Sequence, residues 1–213
     1  MIIGGSELRG LLSKPNISER LVVSPILALD EQVKEHQASI DLRLGFHFAI
    51  CRPSTVGAID ELDDQGFSIT LKAVSDVFGH EYVPFGKSIV LHPQKFLLGC
   101  TLEYVRLPEG YAAYVIGRSS WGRLGLVVAT AIGVHPGYSG AITLELRNLG
   151  ETPIVLHPGQ TIAQLFVHKV SGAKGTGKGQ YVGDGDLLPK RLSSPGTLDK
   201  IRRLIASAAP AGG

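Results

Sequence analysis

The chain has 213 residues, of which 44% are hydrophobic, and its formal net charge is +2. This length and apolar content are enough for one well-packed core, and an all-β domain of this size commonly folds as a single unit. No run of Lys and Arg is longer than a pair. The sequence therefore lacks the long basic footprint of a duplex-binding protein, and we expect no nucleic-acid partner and only a small phosphate ligand.

The cysteine content and the apolar runs bear on the compartment. Cys51 and Cys100 are too few for a disulfide framework and form no CxxC pair, so we expect ordinary buried thiols in a reducing cytosol. The first six residues lack the charged start and long apolar core of a signal peptide. No apolar run is long enough to cross a bilayer. These features predict a soluble, cytoplasmic protein without a membrane partner.

The predicted elements are mostly short strands. A capped helix is expected over residues 6–12, where three leucines fall on one stripe. From residue 21 to 168, short alternating runs are separated by Pro, Gly and Asp clusters, which is typical of a β-sandwich or barrel. The sequence IVLHP occurs at 89–93 and again at 154–158, which indicates equivalent corners of a Greek-key sheet. A second helix is expected over residues 197–206.

A polar turn interrupts this pattern. Residues 117–120 read Gly-Arg-Ser-Ser and place two hydroxyls ahead of a short helical stretch that Gly125 would end. Free backbone N–H groups at a helix start attract phosphate. Arg118 and Arg123 add planar donor forks. The turn therefore favours a phosphorylated ligand, although simple helix capping would also explain the serines.

The strand after this turn carries a carboxylate. Residues 141–148 alternate, with Ile142, Leu144 and Leu146 on one face. Glu145 falls on the other face and is available for chemistry. From its residue type alone, Glu145 would belong to a solvated strand face.

Several motifs in a fixed order resemble those of the dCTP deaminase branch of the dUTPase-like superfamily. They are GRSSxxRLGL, then TA, a hydrophobic-x-PG-aromatic-x-G turn, ITLELxN and PIxLxPGQxIxQL. The stretches at 38–45 (ASIDLRLG) and 91–108 are also similar to family segments. The resemblance implies a mainly β fold, a distorted jelly-roll or β-barrel of the dUTPase-like type with short terminal helices. It further implies a β domain over residues 1–170, a C-terminal lid segment and helix over 171–213, and a homotrimer.

The resemblance also implies a reaction, the hydrolysis of dCTP to dUTP and ammonia. Glu145 would be the general acid/base that moves protons from an attacking water to the departing amine. Such a shuttle needs burial that raises its pKa. Ser119 and the backbone carbonyl of Ala131 would position the water, and Arg123 would lie close to the pyrimidine and the glutamate.

The implied substrate contacts extend from the phosphates to the sugar. Arg118, Ser120 and Gln164 match positions that contact the triphosphate, usually with magnesium bridging the phosphates, and a chain of charge +2 needs such a cation. Tyr138 would pack on the deoxyribose, or alternatively pack inward as a turn aromatic. The further predicted substrate contacts are His135, Thr143, Gln180 and Tyr181.

Two other site types are rejected on their motifs. Most cytosine deaminases activate water with zinc through HxE and PCxxC signatures, which this sequence lacks, and its histidines have no ligand spacing. We therefore predict no zinc. Residues 172–179 imitate a P-loop, but Gly179 stands where Ser or Thr would bind magnesium. This segment is a surface loop or, by the resemblance, part of the mobile lid.

Departures from the family pattern keep two rival functions open. His135 stands where family members usually carry Asp, and residues 180–184 differ from the usual lid pattern. In dUTPases that Asp is the base for a water attacking the α-phosphate, so its absence weighs against pyrophosphatase action. The rivals are a dUTP pyrophosphatase or bifunctional deaminase, and a non-catalytic nucleotide-binding relative. For His135 itself, a solvated turn residue is the plainer alternative.

Overall fold

The protein forms two compact units. One comprises Met1–Cys51 and His80–Leu187, and the other Arg52–Gly79 and Leu188–Gly213. The computed structural model describes residues 1–53, 76–129, 133–172, 187–188 and 195–208. Within these residues no helix is both long enough and apolar enough to cross a membrane.

Short helices and many strands make up the described chain, as the sequence predicted. The helices are α1 (Gly5–Leu12), α2 (Leu29–Gln32), α3 (Ser119–Gly122) and α4 (Pro195–Ala208). The strands are β1 (Val22–Ser24), β2 (Ile40–Cys51), β3 (Phe78–Tyr82), β4 (Ile89–Leu91), β5 (Phe96–Arg106), β6 (Tyr111–Gly117), β7 (Leu126–Val128), β8 (Gly133–Val134), β9 (Ser139–Asn148), β10 (Ile154–Leu156) and β11 (Thr161–Lys169). The prediction of a mainly β fold is confirmed.

One nine-stranded sheet carries the fold. Its order is β7-β9-β5-β2-β11-β6-β8, with β1 added to β5 and β3 to β2. The pairings along this path are antiparallel, and register shifts interrupt several of them. The path curls back on itself and brings β6 close to β7. A Cβ on Gly117 of β6 would lie only 2.9 Å from Val128 Cγ2 of β7. The sheet is therefore a half-barrel, and glycine at 117 permits its closest approach.

The repeated IVLHP sequence has a different basis from the predicted equivalent corners. Its two copies form β4 and β10, which pair with each other as a separate two-stranded sheet. The Ile and Leu residues of both strands are buried, while Val90 and Val155 lie opposite each other and are exposed. Both strands share one buried face, and the common buried–exposed–buried pattern explains the repeat.

Burial, rather than capping, holds the N-terminal helix. The helix predicted over residues 6–12 is present, but the predicted capping is wrong, because α1 begins at Gly5 and its N-cap, Gly4, makes no side-chain hydrogen bond. Leu8 and Leu11 are buried in the core instead. The Gly5 N–H also donates to Gln37 O at 2.7 Å.

Candidate active site

A buried carboxylate joins two of the predicted substrate contacts. Asp41 on β2 lies directly opposite Gln164 on β11. Its Oδ1 accepts a hydrogen bond from Gln164 Nε2 at 3.0 Å, and its Oδ2 forms an ion pair with Arg118 Nη1 at 2.7 Å. Gln164 Nε2 also donates to Ser39 Oγ at 3.1 Å. Sequence reasoning gave Asp41 no role, although its polar side chain within the apolar run of β2 was a visible signal.

The carboxylate of this ion pair is buried, whereas the arginine is partly exposed. The side chain of Asp41 is 9% exposed, whereas that of Arg118 is 34% exposed. A guanidinium has five N–H donors. Among the described residues, the only hydrogen bond of this guanidinium is the one to Asp41. Arg118 is therefore fixed at one edge while its other donors remain accessible.

The serine turn has the predicted backbone but not the alternative capping role. Helix α3 spans Ser119–Gly122, and Gly125 ends the stretch with a φ of +91°. The N-cap is Arg118, without a side-chain cap, and both serines are exposed. A single turn carries little dipole, so the helix start alone is a weak phosphate site. The turn offers a ligand two exposed hydroxyls.

Arg123 follows this turn and is exposed. Its backbone N–H donates to Ser119 O at 3.0 Å. The chain is then fixed against the end of β9, because Leu149 N–H donates to Gly125 O at 2.8 Å. A Cβ on Gly125 would lie 2.5 Å from the backbone nitrogen of Gly150, so this approach requires glycine.

Asn148, the last residue of the ITLELxN motif, organises the same corner. Its side chain is fully buried. Its Nδ2 donates to Leu91 O at 3.0 Å and to Thr152 O at 2.9 Å, and its Oδ1 accepts from Gly150 N–H at 2.9 Å. Sequence reasoning assigned no role to this residue. The amide holds the turn after β9 to the end of β4.

Glu145 lies on β9, on the face opposite the buried Ile142, Leu144 and Leu146, as predicted. Leu98 of β5 lies opposite Glu145. The backbone O of Glu145 accepts a hydrogen bond from Ala129 N–H at 2.8 Å. The residue is half-buried, and this burial raises the pKa of Glu145 above its usual value. Such a carboxylate suits general acid/base chemistry.

The glutamate strand and the arginine turn are neighbours. Strand β7 pairs with β9, with Val128 opposite Leu146, the residue after Glu145. Gly117, which precedes Arg118, packs on Val128. The curl of the sheet thus brings the turn that holds Arg118 beside the strand pair that holds Glu145.

The structure describes three further predicted substrate contacts, and they differ in burial. Tyr138 packs against the core, and its hydroxyl donates to Ala141 O at 2.7 Å. Burial, with a smaller contribution from Tyr104, raises the pKa of Tyr138 to about 12. His135 is exposed and Thr143 is half-buried on the Glu145 face of β9. The inward packing weighed for Tyr138 is observed, and its contact with a sugar stays a prediction.

Three predicted site residues lie outside the described residues: Ala131, Gln180 and Tyr181. Among the residues that are described, no group of three or more His, Cys, Asp or Glu side chains could hold a metal ion. The absence of zinc therefore remains a prediction. Both cysteines are free and half-buried, and burial raises the pKa of the Cys100 thiol.

A solved structure defines the fold class. The fold is similar to that of a 2'-deoxycytidine 5'-triphosphate deaminase from Agrobacterium tumefaciens, with a TM-score of 0.56 and 23% sequence identity. The match covers 78% of this chain and 46% of the solved chain, so this protein spans less than half of that chain. The predicted fold of the dUTPase-like type is confirmed.

Sequence comparisons define the family. A family model described as dCTP deaminase-like matches residues 8–170. A dCTP deaminase of Halorubrum lacusprofundi is 42% identical over 173 residues, covering 77% of this chain and 80% of the relative. A dUMP-forming dCTP deaminase of Persephonella marina is 33% identical over 193 residues, covering 90% and 97%. The chain belongs to the dCTP deaminase-like family.

Proposed function

We propose that the protein hydrolyses dCTP to dUTP and ammonia. The observation that carries this proposal is Glu145, a half-buried carboxylate with a raised pKa, beside the turn that bears Arg118. Membership of the dCTP deaminase-like family supports the choice of substrate.

The proposed chemistry is an exchange of an amino group for an oxygen. Water attacks C4 of the cytosine, and Glu145 accepts one of its protons as the C–O bond forms and passes that proton to N3. Glu145 then moves the remaining hydroxyl proton to the amino group, and the C–N bond breaks to release ammonia and leave the C4 carbonyl of uracil. A raised pKa helps because the same carboxyl group must both accept and release a proton near neutral pH. Ser119 and the carbonyl of Ala131 are proposed to hold the water, and Arg123 to polarise the ring.

The triphosphate is proposed to bind at the open edge of Arg118. Ser120 adds an exposed hydroxyl, and Gln164 is proposed to support the group through its hydrogen bond to Asp41. Both oxygens of Asp41 already accept hydrogen bonds, so this carboxylate is not open to coordinate a metal ion. The site therefore fits a magnesium ion that is bound to the phosphates better than one coordinated by protein side chains alone. When bound, magnesium would compensate phosphate charge.

Sugar recognition, closure and assembly complete the proposal. His135 and Tyr138 are proposed to lie along the deoxyribose, Thr143 to be a further substrate contact, and Gln180 and Tyr181 to act in a lid. We further propose that the protein works as a homotrimer in the cytoplasm. These assignments rest on the family resemblance.

A second candidate is a deaminase that also cleaves the triphosphate. Relatives named dUMP-forming favour it, including the one that aligns over 90% of this chain. His135 argues against it, because an imidazole at this position supplies no carboxylate base. The third candidate, a binding protein without turnover, would show affinity alone.

Product analysis tests the proposal. The purified protein is incubated with dCTP, dUTP or CTP in the presence of magnesium, the nucleotides are separated by anion exchange, and ammonia is measured. We expect dUTP and equimolar ammonia from dCTP, and no cleavage of dUTP. Release of dUMP and pyrophosphate would support the second candidate, and tight binding of dCTP without any product would support the third.

The same assay addresses the metals. A zinc-selective chelator should leave the rate unchanged, because the sequence contains no zinc signature. Omitting magnesium should lower the rate through weaker triphosphate binding. Zinc found at one atom per chain and needed for turnover would contradict the proposed mechanism.

A further inference from the structure

Asp41 presents an electrostatic problem for a site that binds a triphosphate. A buried carboxylate repels an anion, and this repulsion is stronger away from bulk water. Its exposed fraction is small, and both of its oxygens face protein donors. It is therefore poorly suited to contact the ligand, and any benefit to phosphate binding must pass through its partners.

The partners of Asp41 are arranged across three adjacent strands. Asp41 lies opposite Gln164, and Gln164 lies opposite Ile116, so β2, β11 and β6 contribute successive positions. Arg118 follows two residues after Ile116, and its backbone N–H donates to Ile162 O at 3.1 Å. Its side chain reaches back across β11 to the carboxylate. Rigid strands thus fix the position of the carboxylate that holds the guanidinium.

The side-chain amide of Gln164 is oriented by its hydrogen bond to Asp41. A carboxylate only accepts hydrogen bonds, so the amide nitrogen, and not the amide oxygen, must face Asp41. The same nitrogen donates to Ser39 Oγ. Its two hydrogens are therefore both used within the protein, and Gln164 offers a ligand only its amide oxygen. Its contribution to phosphate binding is to fix Asp41.

We propose that Asp41 is a positioning residue for the triphosphate: supported by Ser39 and Gln164, it holds the Arg118 guanidinium with its remaining donors directed to the ligand. This inference rests on the proposed function. An unrestrained arginine loses side-chain entropy when it binds, and prior fixation by Asp41 reduces that loss.

The direction in which Asp41→Asn changes anion affinity distinguishes a positioning role from a purely electrostatic role. Asp41→Asn removes one negative charge from the site, so a purely electrostatic role predicts tighter binding of an anion. A positioning role predicts weaker binding, because the Arg118 side chain loses its anchor. We expect the dissociation constant for magnesium tripolyphosphate, measured by calorimetry, to rise about tenfold, as for the loss of a charge-assisted contact.

Two comparisons make this result specific to Arg118. In an Arg118→Ala background, Asp41→Asn should cause no further weakening, because Asp41 acts through that side chain. Glu103→Gln disrupts the other ion pair of β2 and should leave tripolyphosphate affinity unchanged. Tighter or unchanged binding in Asp41→Asn would overturn the inference, as would an equal loss in the presence and absence of Arg118.

The experiment remains decisive under two complications. Should Asp41→Asn fail to fold, Ser39→Ala removes only one hydrogen bond of Gln164 and should weaken binding about two- to fivefold, again only when Arg118 is present. Unchanged affinity in Ser39→Ala, or the same loss without Arg118, would then overturn the inference. Tripolyphosphate binding needs no turnover, so native protein that binds it but does not deaminate dCTP would refute the proposed function alone.

Discussion

Two buried ion pairs start from residues only two positions apart on β2, and they differ in what they leave accessible. Arg43 Nε meets Glu103 Oε1 at 2.6 Å, with side chains 10% and 0% exposed. That carboxylate also accepts hydrogen bonds from the Arg43 backbone N–H and from Gln32 Nε2. Arg118 and Asp41 form a pair of similar length, yet a third of the arginine side chain is exposed.

This difference separates groups that serve the fold from groups available for a ligand. The carboxylate of Glu103 is satisfied within the fold, so its interactions stabilise the sheet. Arg118 belongs to the second group, because a third of its side chain is exposed. The hydroxyl of Tyr138 belongs with the groups that serve the fold, because it has a backbone partner. Substitutions in the two classes should therefore change different measurements.

Glu103→Gln should give the largest loss of stability. It leaves the Arg43 guanidinium buried without a counter-charge, which costs about 3–5 kcal/mol of unfolding free energy. Urea denaturation measures the loss, and the KM for dCTP should stay at the native value in the folded variant. A native free energy of unfolding, or a KM raised severalfold, would contradict the assignment of this pair to the fold.

Arg118→Ala should instead change ligand affinity. We expect triphosphate binding about 10–100-fold weaker, the effect of losing a charged hydrogen-bonding side chain. The measurement uses Glu145→Gln protein, so that dCTP is bound without turnover. Arg106→Ala removes the same charge from an arginine that donates to Ile17 O, and serves as the control. Equal weakening in both variants would reduce the role of Arg118 to net charge.

Tyr138→Phe should have a modest effect on stability. It removes the hydrogen bond to Ala141 O and should lower the unfolding free energy by about 1 kcal/mol. The ratio of dCTP to CTP turnover should remain unchanged, because the aromatic ring that is proposed to pack on the deoxyribose is retained. A change in that ratio would show that the hydroxyl itself contacts the sugar and would move Tyr138 into the second class.

The smallest expected effect is a pH dependence at Glu145. Burial raises the pKa of Glu145 in the folded protein, so the folded state binds its proton more tightly than the unfolded state. Native stability relative to Glu145→Gln should therefore fall as pH rises above the usual glutamate pKa. Melting temperatures of both proteins at pH 4 and pH 7 test this, and a difference that stays constant would contradict it.

Local patterns in the sequence predicted much of this molecule. The alternation of residues 141–148 placed Glu145 correctly, because a strand has a side-chain period of two. The glycine that ends the turn after α3 was also predicted, since the positive φ of Gly125 favours glycine. These features depend on neighbours in the chain.

Long-range pairing was not predictable by the same means. Asp41 and Arg118 are 77 residues apart, and Arg43 and Glu103 are 60 residues apart. Each pair exists only because the sheet order places distant strands side by side. The repeat at β4 and β10 was visible, but its two copies could not be recognised as partners without their register. The predicted capping of the first helix was wrong, because α1 is held by its buried leucines and has no side-chain cap.

The central claim is that Glu145 transfers the protons of deamination, and Glu145→Gln tests it most directly. The amide keeps the size of the side chain and removes the exchangeable carboxyl proton. We expect kcat for dCTP to fall by about 10²–10⁴-fold while dCTP affinity stays within a few-fold of native. Ammonia release and calorimetric binding on the same protein give both values. Turnover near the native rate in the pure variant would contradict the account.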